Sequence, residues 1–151
     1  MRVLFCHGKE GSTDGTKATM LRESFKTAVI PKLTNSYDVG DFVTDLYLVE
    51  ALAAGADVLI GSSRGGALVA HARTEQKKVL IAPAWKRFGA KPNLTKHDVI
   101  LHSKNDDLVP YADSVTLAEK FGCTLIECGE DHRMSDEKTL EKIVSVIKEL
   151  A

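Results

Sequence analysis

The sequence predicts an α/β fold, a three-layer doubly wound parallel sheet of about six strands. Three observations carry that expectation. Short and nearly continuous apolar runs recur along the chain, as expected of strands buried on both faces. Helix-compatible segments alternate with those runs, which is the strand–helix order of a parallel sheet. Hydrophobic residues make up 44% of the 151 positions, enough to bury a real core within one domain.

The first strand is expected at 3–6, almost at the first residue. A helix follows over about 16–29, with Leu21, Phe25, Ala28 and Val29 on one face and Pro31 as its stop. Residues 37–39 read as a short, weak strand and 42–54 as a helix closed by Gly55. A strand at 58–60 feeds a turn and the helix-compatible run 67–70. Further strands are expected at 79–82, 99–101 and 124–128. Pro110 opens and Gly122 closes the helix before the last strand, the usual proline-first, glycine-last asymmetry. The final helix is expected to use Ser135 as N-cap, with Asp136 and Glu137 in its first turn. Its apolar face is Leu140, Ile143, Val144, Ile147 and Leu150. The stretch 83–96 is the one long connection without periodicity, and it is too short to form a lid domain. Without repeats or linkers, residues 1–151 read as a single domain.

Charge narrows the partners. Charged residues are 27% of the chain and evenly mixed, with a net charge of −1. Bulk attraction to nucleic acid or to an anionic membrane is therefore not expected. No run is long enough to span a bilayer, and the apolar start is too short for a signal peptide. Cys6, Cys123 and Cys128 are odd in number and form no CxxC pair. They read as free thiols in a reducing cytoplasm.

The chemistry is concentrated in Gly61-Ser62-Ser63-Arg64-Gly65-Gly66. Gly61-x-Ser63-x-Gly65 lies between an apolar strand and a helix, the setting in which a tight turn lifts a serine out of a sheet. Side chains at Gly61 or Gly65 would collide where strand and helix meet. A serine hydroxyl needs a base, and behind such a turn an acid and then a histidine follow in the chain. His7 and His71 precede any plausible acid, and His97 and His102 lie before the pair Asp106-Asp107. Only His132 follows that pair, in the loop between the last strand and the last helix. Asp106 is preferred as the acid, because Asp107 can then serve the helix beginning near Pro110. The alternative acid position, after the strand at 79–82, reads Pro83-Ala84-Trp85 and holds no carboxylate.

An oxyanion needs two backbone N–H groups. Arg64, directly after the serine, is expected to supply one. Lys9 is expected to supply the other, with Gly8 allowing close approach. His7 reads as a buttress of that loop, and His7, Gly8, Trp85 and Arg87 are candidate substrate contacts. Trp85 and Phe88 could wall an acyl chain or simply pack that loop on the core.

Strand-His7-Gly8, Gly61-Ser62-Ser63-x-Gly65-Gly66, Asp106-x-x-Val109-Pro110 and a late loop histidine occur in that order. Together they resemble the α/β-hydrolase superfamily, particularly its small lidless bacterial esterases of the YqiA type. The resemblance covers essentially the whole chain. It implies a minimal α/β-hydrolase fold without a lid, with strand order 2-1-3-4-5-6 and the His7-Gly8 loop at the switch point beside the serine turn. It implies Ser63 as nucleophile, His132 as base and Asp106 as acid, cleaving a small carboxylic ester through an acyl-enzyme. No metal or organic cofactor is implied, and the partner is a small-molecule ester or thioester. A thioesterase, amidase or peptidase would use the same machinery, and a weakly active binding protein could retain it.

Two departures bear on substrate. Small relatives usually carry an apolar or aromatic residue where this chain has Lys9-Glu10, and an apolar one where it has Arg64. Lys9, Arg64, Lys86, Arg87, Lys104 and Arg133 could form a basic rim selecting an anionic substrate. The alternative pairs Arg64 with Glu10 and leaves the others solvated and balanced by nearby carboxylates.

Overall fold

The structure is a computed structural model and describes residues 1–9, 11–89 and 91–150. Five parallel strands form one sheet: β1 (Val3–Cys6), β2 (Val58–Ser62), β3 (Lys77–Ile81), β4 (Val99–His102) and β5 (Thr124–Glu127), in the order β1-β2-β3-β4-β5. The helices are α1 (Thr16–Ser24), α2 (Val39–Ala53), α3 (Arg64–His71), α4 (Tyr111–Phe121) and α5 (Glu137–Glu149). Successive strand residues face opposite sides, so each apolar run feeds two cores. Leu4, Leu59, Leu80 and Ile100 join side chains from α2, α3 and α4, including Phe42, Val49, Leu68 and Leu117. Val3, Phe5, Ile60, Val79 and Ile81 join Leu21 of α1 and Ile143 and Ile147 of α5. The three layers are therefore as expected. No helix among the described residues is long and apolar enough to cross a membrane.

The count of six strands and the order 2-1-3-4-5-6 need correction. Residues 37–39 are not a strand, because Asp38 caps α2 by accepting a hydrogen bond from the Asp41 amide at 3.1 Å. Just before it, Ser36 and Thr34 are held by the Arg64 side chain, which draws this segment over the helices. The edge of β1 away from β2 is instead met at one position, Val29. Its N–H donates to the Val3 carbonyl and its carbonyl accepts from the Phe5 amide, both at 2.9 Å. An outer strand is thus reduced to a single bridge made by the backbone of Val29, whose side chain stays partly exposed. For the same reason α1 stops at Ser24, five residues before the expected end.

Two smaller corrections concern caps and bounds. Asp136, and not Ser135, caps α5, accepting from the Thr139 amide at 3.2 Å. Strand β3 starts at Lys77, taking in Lys78, which is buried despite its charge. Its ammonium donates to the carbonyls of Ala72 at 2.7 Å and Asn93 at 2.6 Å, satisfying the end of α3. Pro110 and Gly122 flank α4 as expected, the glycine at φ 72°.

Candidate active site

Strand β2 delivers Ser63 into a sharp turn with φ 55° and ψ −114°, a backbone conformation that costs on the order of 1–3 kcal/mol. Hydrogen bonds on both sides hold it there. The Ser63 amide donates to the Ile81 carbonyl, and the Ser63 carbonyl accepts from Ala67 and Ala84. The flanking glycines are sterically required. A Cβ on Gly61 would lie 2.2 Å from the Gly65 carbonyl oxygen, and one on Gly65 would lie 2.0 Å from that of Cys6.

Loops after β4 and β5 bring the other predicted residues to this turn. The Ser63 hydroxyl donates to His132 Nε2 at 2.9 Å, and His132 Nδ1–H donates to Asp106 Oδ2 at 2.6 Å. His132 keeps 15% of its side chain exposed, whereas the side chain of Asp106 is fully buried. The two loops are tied together by Ser103, whose hydroxyl donates to the Gly129 carbonyl at 2.9 Å. From α1, the Lys17 ammonium donates to the Arg133 carbonyl beside His132. Met134, fully buried at φ 54°, anchors the far side of that loop.

Asp106 is also bound by the amides of Leu108 at 2.8 Å and Val109 at 2.7 Å, both on Oδ1. Burial pushes its carboxyl pKa up, but those amides together with His132 outweigh it and hold it below the ordinary carboxylate value. The adjacent Asp107 is exposed, so the structure brings Asp106 to the histidine.

Sequence reasoning missed His102, which it set aside for preceding the acid. At the end of β4, its Nε2 lies 3.0 Å from Asp106 Oδ2 and 3.1 Å from the Val109 carbonyl, and its Nδ1 lies 2.7 Å from the Ser114 hydroxyl. The four-residue spacing of His102 and Asp106 across a strand end was the available signal. Burial pushes the His102 pKa down against the pull of Asp106, favouring the neutral ring.

Gly8 packs directly on the serine turn. A Cβ there would lie 3.2 Å from Ser63 Cβ and 3.3 Å from the Ser62 carbonyl oxygen. Lys9 is the next residue. Arg64 opens α3, so its amide has no acceptor within the helix. His7 donates from Nδ1 to the Gly8 carbonyl at 2.8 Å and accepts at Nε2 from the Leu33 amide at 3.2 Å. Both ring nitrogens are used within the protein, as a buttress of this loop requires.

The Arg64 side chain is also not where a basic rim requires it. It is 1% exposed, with Nη1 2.8 Å from Asp45 Oδ2, off the line of a directed hydrogen bond. Its other nitrogens donate to the Ser36 carbonyl and to Thr34 Oγ1. The expected partner Glu10 lies outside the described residues. Lys86 pairs with Asp113 at 3.3 Å, and Lys104 approaches Glu127 at 3.9 Å. Lys9 and Arg87 both lie over the Tyr37 ring, at 5.1 and 3.8 Å from its centroid. Arg133 is exposed. Trp85 is 5% exposed within the core, its indole N–H donating to the Asp113 carbonyl. It packs its loop on the core. Phe88 stacks on Phe42 at 4.1 Å.

Burial pushes the thiols of Cys6 and Cys123 up to about 12 and about 11, so neither competes with Ser63 as a nucleophile. Among the described residues, no group of three or more His, Cys, Asp or Glu is arranged to hold a metal ion. Two cavities lie away from Ser63, one between α1 and α5 over Met20, Leu140 and Val144, the other beside Lys78, Asn93 and Asp98.

No protein-family model matches this chain, and no curated protein matches it. Solved structures do. A Xanthomonas campestris pv. campestris protein, assigned provisionally to the hydrolases of the alpha/beta superfamily, superposes with a TM-score of 0.82 and 23% identity, over 99% of this chain and 95% of that one. Est1E from Butyrivibrio proteoclasticus gives 0.76 and 18%, over 98% and 85%, and has also been solved with ferulic acid bound. Esterase PE8 gives 0.69 and 16%, over 99% and 92%. The chain therefore has the α/β-hydrolase fold.

Proposed function

We propose that this protein is a serine hydrolase that cleaves a small carboxylic ester. The observation that carries the reading is the continuous relay from Ser63 through His132 to a buried Asp106, set at a strained turn. In this reading Ser63 Oγ attacks the ester carbonyl while His132 Nε2 takes its proton. The negative charge gathers on the former carbonyl oxygen, which accepts from the backbone N–H groups of Lys9 and Arg64. As the carbonyl re-forms, the C–O bond to the alcohol breaks, and His132 returns the proton to that alcohol. A water, deprotonated by the same histidine, then splits the acyl-enzyme and restores Ser63. Asp106 holds the imidazole in the tautomer that accepts at Nε2 and stabilises it when charged.

Two findings support a small, neutral ester within this class. Ferulic acid bound to a protein of the same fold is a small carboxylic acid, the product class of such a reaction. Arg64, Lys86 and Lys104 are engaged by carboxylates, which weakens a basic rim as an anion selector. The free thiols suit a reducing compartment such as the cytoplasm.

The test is intact-mass analysis after fluorophosphonate treatment of the wild type and Ser63→Ala. One adduct on the wild type, lost in the variant, is expected. No adduct on folded wild type would sink the reading and leave a hydrolase-fold binding protein in its place.

A further inference from the structure

Asp106 is met by four donors, and one of them has no part in the relay described above. Oδ1 accepts the two amides of its own loop, and Oδ2 accepts His132 Nδ1–H at 2.6 Å. The remaining group on Oδ2 is His102 Nε2, at 3.0 Å, approaching from the end of β4. Its proton can be placed from chemistry. Nε2 faces a carboxylate and the Val109 carbonyl, and both can only accept. Nε2 therefore carries a hydrogen, while Nδ1 accepts from the Ser114 hydroxyl. Both His102 and Ser114 are fully buried, so no water substitutes for these partners.

We infer that His102 is a positioning residue: its Nε2–H holds Asp106 Oδ2 in the plane His132 needs and limits the charge that this oxygen presents to the imidazole. The inference rests on the serine hydrolase reading. Two N–H groups on one oxygen share its electron density, so each weakens the other's hold. Removing the His102 donor concentrates charge on Oδ2, strengthens its attraction for protonated His132, and makes the base harder to deprotonate. Among the described residues, Tyr111 of α4 lies edge-on to His102 at 5.6 Å, and Lys104 sits 5.8 Å from the Tyr111 ring. His132 and Asp106 face each other from their own loops, and Asp106 also faces His102.

The experiment uses two amide substitutions that separate the ring nitrogens. In His102→Gln the amide nitrogen stands where Nε2 was, whereas in His102→Asn it stands where Nδ1 was. The readout is the rate of fluorophosphonate labelling against pH, which needs no knowledge of substrate. His102→Asn is expected to label about tenfold more slowly at its plateau, with its acid limb about half a pH unit higher. His102→Gln is expected to stay within about threefold of wild type with an unmoved limb. Equal losses in both variants with unmoved limbs would mean that His102 only packs, and a wild-type profile in His102→Asn would overturn the inference outright. Nitrogen shifts of isotopically labelled wild type provide a check independent of variant folding. Nε2 of His102 should remain protonated and Nδ1 unprotonated, and an unprotonated Nε2 overturns the inference. Wild type that labels normally while either result goes against His102 leaves the serine hydrolase reading standing, whereas wild type that never labels removes both.

Discussion

At the scale of single residues, the turn around Ser63 is governed by steric exclusion. Ser63 occupies positive φ, where an L-residue is strained, and only close hydrogen bonding to Ile81, Ala67 and Ala84 keeps it there. Gly61 and Gly65 approach backbone atoms that cannot move aside, so Gly61→Ala and Gly65→Ala are expected to yield little folded protein. Gly8 is a milder case, because a Cβ there needs its neighbours to give by only a few tenths of an ångström. Gly8→Ala is expected to fold, with fluorophosphonate labelling slowed about tenfold through displacement of the loop beside Ser63. Circular dichroism and labelling rates on the three variants check this, and a folded Gly65→Ala would contradict the steric account. Both glycines were legible from the motif, since close packing of strand and helix is what that spacing encodes.

Elements are joined around Arg64, which links α3 to α2 and to the segment between α1 and α2. Its guanidinium sits beside Asp45 and also holds Ser36 and Thr34, while Asp45 accepts from the Thr34 hydroxyl at 2.7 Å. Removing one member leaves the other charge buried and unpaired, a loss of about 3–5 kcal/mol. Asp45→Leu is expected to cost that much in urea unfolding. The double variant Arg64→Met/Asp45→Leu is expected to recover most of it, because no lone charge remains. A double variant as unstable as the two single losses added would refute this coupling. The same cluster explains why residues 37–39 are not a strand. Local composition allowed one, but hydrogen bonds to Arg64 and the Asp38 cap set the chain on another course.

For the whole molecule, buried charge sets the pH range of stability. Asp106 titrates below its unfolded value near ~3.9. Its contribution is complete above that value and is lost as pH falls through the folded one. Lys78 acts at the other end. Burial pushes it down to about 8, while in the unfolded chain it titrates near ~10.4. Between these values the unfolded chain binds the extra proton, so stability rises with pH across that window. Urea unfolding near pH ~7 and ~9.5 should show a larger gain for wild type than for Lys78→Met. Equal gains would place the titration elsewhere.

The sequence by itself determined the three layers, the positions of the five strands, the serine turn, and His132 as the histidine in reach of it. These features are written locally, in apolar runs, glycine spacing and the order of residues along a parallel sheet. The role of the Arg64 side chain, the contact of His102 with Asp106, and the replacement of an edge strand by Val29 were decided by tertiary structure. Each depends on which polar group meets which once water is excluded. A buried donor or acceptor must find a partner wherever the fold supplies one, and that pairing is a property of the packed chain.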